Sequence, residues 1–114
     1  MKVQIKHKDK ILSENIRVAD TPATRIIGLM FRKSIKGADG LLLDPCNSIH
    51  TFFMRYSLDV VFLSKTNQVV KVIRNLKPWR MTFIYFKARK TLELPAGKLP
   101  SDILEGDILE VTNV

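Results

Sequence analysis

The segment Leu58-Asp59-Val60-Val61-Phe62-Leu63 constrains the fold more than any other. Read at the period of an extended chain, it puts Leu58, Val60 and Phe62 on one face and Asp59, Val61 and Leu63 on the other. Both faces are apolar, which is the pattern of a strand covered on both sides. A carboxylate in that setting must lie at the strand's end or be paired. Arg55 and His50 stand just upstream, before a Tyr56-Ser57 corner. The expectation is a polar cluster of His50, Arg55 and Asp59 at one end of a sheet, serving as a ligand site or as an internal ion pair that fixes the corner.

The rest of the chain supplies strands to surround that one. Val3 and Ile5 alternate with polar residues between Lys2 and Lys6, and Lys8-Asp9-Lys10 can turn the chain into Ile11–Val18, which predicts a hairpin. Further strands are expected at Leu41–Leu43, Ile49–Met54, Leu58–Leu63, Val69–Ile73, Met81–Phe86, Lys90–Leu94 and Ile108–Val111, with a helical turn capped by Ser101. Asp20-Thr21-Pro22 has the chemistry of a helix start. Ala23, Ile26, Ile27 and Met30 then follow on one helical face, so one short helix is expected there. Eight or nine short strands with a single helix predict a mainly β fold, an antiparallel sandwich or barrel of jelly-roll type. The chain has 114 residues, 46% of them hydrophobic and 26% charged. That is enough for a packed core and argues against disorder. One domain over 1–114 is expected, without linker or internal repeat.

Three kinds of chemistry are candidates. Cys46 and His50 lie four apart in Pro45-Cys46-Asn47-Ser48-Ile49-His50-Thr51. In a straight strand they would be roughly 13 Å apart at ~3.3 Å per residue, too far for one metal or for a nucleophile–base pair, unless the chain bends at Asn47-Ser48. With a bend, a small hydrolytic or metal-dependent enzyme built on Cys46 and His50 is an alternative. No spacing of the remaining ligand types predicts a metal or cofactor. Thr51 joins Cys46, His50, Arg55 and Asp59 as a ligand-binding candidate.

Charge supplies the third. The net charge is +8, and no acid stands between Lys65 and Lys90. Lys71, Arg74, Lys77 and Arg80 surround Trp79, and Phe83, Tyr85 and Phe86 follow. Cations interleaved with aromatics can neutralise a phosphate backbone and stack on bases, so a nucleic-acid-associated protein is another alternative. Aromatics at strand spacing are more often core, and a basic face also keeps a protein soluble. The first residues carry no apolar core of signal-peptide length, no segment is long and apolar enough to span a bilayer, and a lone cysteine fits a reducing compartment. A cytoplasmic monomer is expected.

Several short pieces in order resemble the prokaryotic family catalogued as domain of unknown function 192. They are Val18-Ala19-Asp20-Thr21-Pro22, Gly28-Leu29-Met30-Phe31-Arg32, Gly40-Leu41-Leu42-Leu43, Ile49-His50-Thr51-Phe52-Phe53-Met54-Arg55, Leu58–Leu63, Leu92-Glu93-Leu94-Pro95-Ala96-Gly97 and Gly106-Asp107. The resemblance spans about Glu14 to Val111 and implies a compact, mostly β fold. It implies no particular reaction. Cys46 and His50 match the members that carry a cysteine four residues before this histidine, and many members look exported. The combined expectation is a small β-rich protein that binds an unidentified small ligand near His50, Arg55 and Asp59.

Overall fold

In the computed structural model, residues 1–20, 37–52 and 54–114 are described. The expected helix from Pro22 to about Arg32 lies outside them. Seven strands form one sheet: β1 (Lys2–His7), β2 (Lys10–Ala19), β3 (Gly40–Leu43), β4 (Leu58–Leu63), β5 (Val69–Leu76), β6 (Lys90–Pro95) and β7 (Glu110–Asn113). Their spatial order is β5-β4-β6-β3-β2-β1-β7.

β1 and β2 form the expected hairpin, with His7 opposite Lys10. Lys8 and Asp9 between them both take positive φ, 49° and 66°. That is the type I′ geometry whose twist suits a two-residue hairpin. β2 and β3 are parallel, the one parallel pair in a sheet whose other described pairs are antiparallel. Parallel neighbours need a connection of a dozen residues or more, and twenty residues lie between Ala19 and Gly40 in the sequence. Gly40 is where the sheet tolerates no side chain: a Cβ there would come within 2.6 Å of the Glu93 carbonyl oxygen.

The sheet closes on itself. Residues 106–109 bond the start of β5 through Val69 N to Asp107 O (2.7 Å), Gly106 N to Val69 O (2.8 Å) and Leu109 N to Asn67 O (2.9 Å). The same stretch leads directly into β7, which pairs with β1 at the opposite end of the sheet. The two extremes of the sheet are thereby joined, as in a barrel, which protects edges that would otherwise invite pairing with another chain.

Burial explains why β4 is apolar on both faces. Val61 and Leu63 point into the barrel with Val3, Ile5, Ile16, Leu42, Leu92 and Leu94. Leu58, Val60 and Phe62 point outward and are covered by Ile49, Met54 and Ala88, with Tyr56 and Tyr85 packed alongside. All six residues of β4 are buried. Two irregular segments, the described residues 44–52 and 54–57 and residues 77–89, thus form a second layer over the outer face of the sheet.

Those segments account for the difference between nine expected strands and seven observed among the described residues. Neither Ile49–Met54 nor Met81–Phe86 is a strand. They meet through an isolated bridge, His50 to Met81, because side-chain oxygens take part in their backbone pairing. Likewise the segment at Ser101 is a turn over Pro100–Ile103, with Ile103 N bonded to Pro100 O at 3.4 Å.

Candidate functional site

Residues 46–51 and 79–89 zip into an irregular antiparallel ribbon. Cys46 N donates to Arg89 O (2.7 Å), Tyr85 N to Asn47 O (2.9 Å), Thr82 N to Ile49 O (2.9 Å), Thr51 N to Arg80 O (2.8 Å) and Trp79 N to Thr51 O (2.9 Å). Two threonines replace ladder bonds. Thr82 Oγ1 accepts from Ile49 N at 3.0 Å. Thr51 is fully buried; its Oγ1 donates to Lys77 O at 2.6 Å and accepts from Arg80 N at 2.9 Å. Thr51 therefore clamps the turn that contains Trp79.

That turn is strained. Trp79 sits at φ +65°, a region that a bulky side chain enters at a cost of about 1–2 kcal/mol. The bonds to Thr51 hold it there. The result is an indole 56% exposed, whose ring faces Phe52 with centroids 6.0 Å apart. Phe52 in turn stacks on His50 at 4.8 Å. A three-ring row therefore runs from the ribbon's interior to its surface.

Beyond Trp79 the ribbon carries a row of apolar side chains in water. Met81 is 72% exposed, Phe83 82%, Ile84 54% and Phe86 87%. Tyr85 alone turns in, its ring 4.7 Å from that of Phe62. The expectation that the aromatics of Met81–Phe86 are core is corrected for Phe83 and Phe86. One face of this ribbon covers the sheet, and nothing among the described residues covers the other. Lys77, Arg80 and Lys87 are exposed on the same segment and make no ion pair among the described residues.

The sequence candidates fall into separate places. Asp59 is 3% exposed and points into the barrel end. Its Oδ1 accepts the Asn75 amide at 2.9 Å. Its Oδ2 accepts the amides of Gly97 (2.9 Å) and Leu99 (3.2 Å). The carboxylate thus ties β4 to the end of β5 and to the turn after β6, where Gly97 has φ +88°. It is paired, as its burial requires, but with backbone amides. Arg55 is exposed, and no bond from it or from His50 to Asp59 occurs among the described residues. The reason is the pleat: Asp59 shares the interior face, whereas Cys46, Ile49 and Met54 pack on the exterior one.

Cys46 is half-buried, and its Sγ donates to Ser48 O at 3.1 Å, so the chain does bend at Asn47-Ser48. It lines a cavity of about 290 Å³ with Pro45, Asn47, Ala88 and Arg89. Arg89 pairs with Asp44 at 3.3 Å. His50 is not among the described lining residues of that cavity. No cluster with metal-ligand composition occurs among the described residues.

The basic candidates also divide. Lys71 pairs with Glu105 at 3.5 Å, and Arg74 donates to Leu99 O (2.9 Å) and Pro100 O (2.7 Å). Both belong to the closure of the barrel. Lys77, Trp79 and Arg80 stay together on the ribbon. Sequence reasoning singled out these three and noted Phe83 and Phe86 as the aromatics that follow, but not Met81 or Ile84. The available signal was an apolar run bracketed by Arg80 and Lys87 without a single acid.

A second internal brace lies at the barrel's seam. His7 is 4% exposed, and its Nε2 is 2.8 Å from Asp107 Oδ2. The Leu104 amide donates to the same oxygen at 3.1 Å. The Leu104 and His7 hydrogen bonds hold the Asp107 carboxyl below the usual aspartate value.

A closed, mainly β barrel with one covered outer face and an exposed basic ribbon defines the class of protein. Its sequence belongs to the family DUF192, described as Uncharacterized ACR, whose model matches residues 3–111. The chain is similar to UPF0127 proteins from Thermococcus sibiricus (33% identical, covering 90% of this chain and 68% of that protein) and Pyrococcus furiosus (36%, covering 90% and 91%). A UPF0127 protein from Pyrococcus horikoshii is 40% identical over 72% of this chain and 73% of its own length. In fold, the chain resembles a protein of unknown function from Novosphingobium aromaticivorans, with a TM-score of 0.75 at 20% identity over 96% of this chain and 84% of the other. A crystal structure from Sinorhizobium meliloti gives 0.73 at 22% identity, over 96% and 92%. At such identity the likeness is one of fold alone. No helix among the described residues is long and apolar enough to cross a membrane.

Proposed function

We propose that this protein is a binding module whose working surface is the ribbon from Lys77 to Lys87, and that its partner is negatively charged. The observation that carries this reading is the exposure of Trp79, Met81, Phe83, Ile84 and Phe86 on one segment that also bears Lys77, Arg80 and Lys87. Large apolar side chains left in water on a fixed scaffold mark an interaction surface. Interleaved cations without acids select for negative charge and speed encounter. The strained Trp79 adds support, because backbone strain of this kind persists where the surroundings over-determine it and gathers at functional positions. The ligand site first expected at His50, Arg55 and Asp59 is replaced by this surface, since the Asp59 carboxylate is saturated by three backbone amides.

The test is charge reversal on the intact chain, with Lys77→Glu, Arg80→Glu and Lys87→Glu combined. The probes are an unstructured single-stranded oligonucleotide and vesicles containing an anionic phospholipid. Binding of either probe by the parent chain, weakening with salt and lost in the variant, supports the reading. Failure to bind both probes, or binding that the variant retains, overturns it.

A further inference from the structure

The chemistry of the exposed row narrows the anionic partner. Resting on the binding role above, we infer that the Lys77–Lys87 ribbon docks on the surface of an anionic lipid bilayer, with Phe83 and Phe86 entering the acyl boundary. Single-stranded nucleic acid rewards flat faces on which bases stack. Here Met81 (72%) and Ile84 (54%) are exposed beside the rings, and neither offers a face for stacking. A hydrocarbon boundary rewards aliphatic and aromatic side chains alike, in proportion to the area removed from water. The two most exposed large apolar residues of the described chain are Phe86 (87%) and Phe83 (82%). They are bracketed by cations whose long stems allow the charge to stay at the headgroups while the rings descend.

The remaining features agree with that geometry. Trp79 is half-exposed, and its amphipathic ring suits the level of the headgroups. Lys77, Arg80 and Lys87 can each meet a lipid phosphate, at a gain of about fivefold in affinity per cation near an anionic surface. Below its tip the segment is fastened by Thr51 and Thr82 to the neighbouring irregular segment and by Tyr85 to Phe62 of the sheet. Its apolar side chains Met81, Phe83, Ile84 and Phe86 stay in water. A second copy of the chain is a poor occupant. It would bring two acid-free segments, Lys65 to Lys90, face to face on molecules of net charge +8.

Trp79 is the chain's single tryptophan, so its fluorescence reads the event directly. The full chain is titrated with mixed phosphatidylcholine–phosphatidylglycerol vesicles and with vesicles of phosphatidylcholine alone. The expected result is a blue shift and protection from an aqueous quencher with the anionic vesicles, and neither with the neutral ones. Phe83→Ala with Phe86→Ala is expected to weaken sedimentation with the anionic vesicles about tenfold or more while leaving the melting temperature unchanged, since both rings are outside the core. Three results overturn the inference: no binding to anionic vesicles, equal binding by the double variant, or binding without any change at Trp79. An oligonucleotide bound while vesicles are not would overturn the bilayer assignment but keep the broader anionic-partner role. No binding to either removes both.

Discussion

Replacing Asp59 by Asn separates a brace from a binding site. The carboxylate is 3% exposed and accepts three backbone amides, from Asn75, Gly97 and Leu99. An asparagine keeps the shape but turns one acceptor oxygen into a donor and removes the charge. In the less harmful orientation, its oxygen keeps Gly97 and Leu99, and its NH2 group opposes the Asn75 amide. One charge-assisted bond is lost, worth about 1.5–3 kcal/mol, and the two survivors weaken, so the total is about 2–4 kcal/mol. Asp59→Ala strands all three amides and costs about 4–5 kcal/mol. At this chain length the Asn variant is expected to melt about 8–16 °C lower. Urea unfolding followed by far-ultraviolet circular dichroism measures the first quantity and a thermal scan the second. A loss below about 1 kcal/mol would refute the brace. Normal stability with abolished binding to a partner would restore Asp59 to a functional site.

Other perturbations test other parts of the account. Gly40→Ala forces a Cβ against the Glu93 carbonyl at the β3–β6 pair, and is expected to cost about 1–3 kcal/mol in urea unfolding; an unchanged midpoint would contradict the register described. Asp107 has its carboxyl lowered by the Leu104 and His7 hydrogen bonds. Its contribution to stability is therefore full above the ordinary aspartate value and is lost as pH falls through the lower folded value. Asp107→Asn should flatten the acid limb of the melting curve below about pH 4, and an identical limb would deny the seam this role. Trp79→Gly removes the strained left-handed side chain, so it should raise stability by about 1 kcal/mol while weakening vesicle binding. A parallel loss of both would show that the indole is part of the core.

Much of the fold was legible in the sequence because periodicity reports burial. The two apolar faces of Leu58–Leu63 demanded cover on both sides, and the interior cluster and the outer layer supply it. The hairpin at Lys8-Asp9 and the mainly β character followed from alternation and turns. The parallel β2–β3 pair was not legible, because strand direction depends on where a long crossover returns and not on the strands' own residues. The ribbon was misread for a related reason. Ile49–Met54 and Met81–Phe86 carry strand-like composition, but Thr51 and Thr82 use their hydroxyls where a ladder would use backbone groups. That breaks the alternation and turns Phe83 and Phe86 outward.

At the candidate site, the sequence marked the right charged residue for the wrong partner. Asp59 needed a counterpart, and the nearest cation in the chain was Arg55. Its acceptors' true donors, the amides of Asn75, Gly97 and Leu99, are contributed by strand ends distant in sequence, which composition does not reveal. Cys46 and Asp59 are close in the chain but on opposite faces of the sheet, so they do not form one cleft. The basic residues around Trp79 were visible as a group. Which of them are tied to other parts of the barrel depended on the fold, which engages Lys71 and Arg74 with residues 99–105.

The central claim, that the Lys77–Lys87 ribbon is the binding surface, is tested most directly by a residue-resolved magnetic-resonance titration of the intact chain with anionic lipid nanodiscs. The account predicts line broadening and shifts concentrated at Trp79, Met81, Phe83, Ile84, Phe86 and the neighbouring cations, with Asp59 and its three amide donors unmoved. Changes centred on Asp59, on the Cys46–Arg89 cavity, or on no part of the ribbon would contradict it.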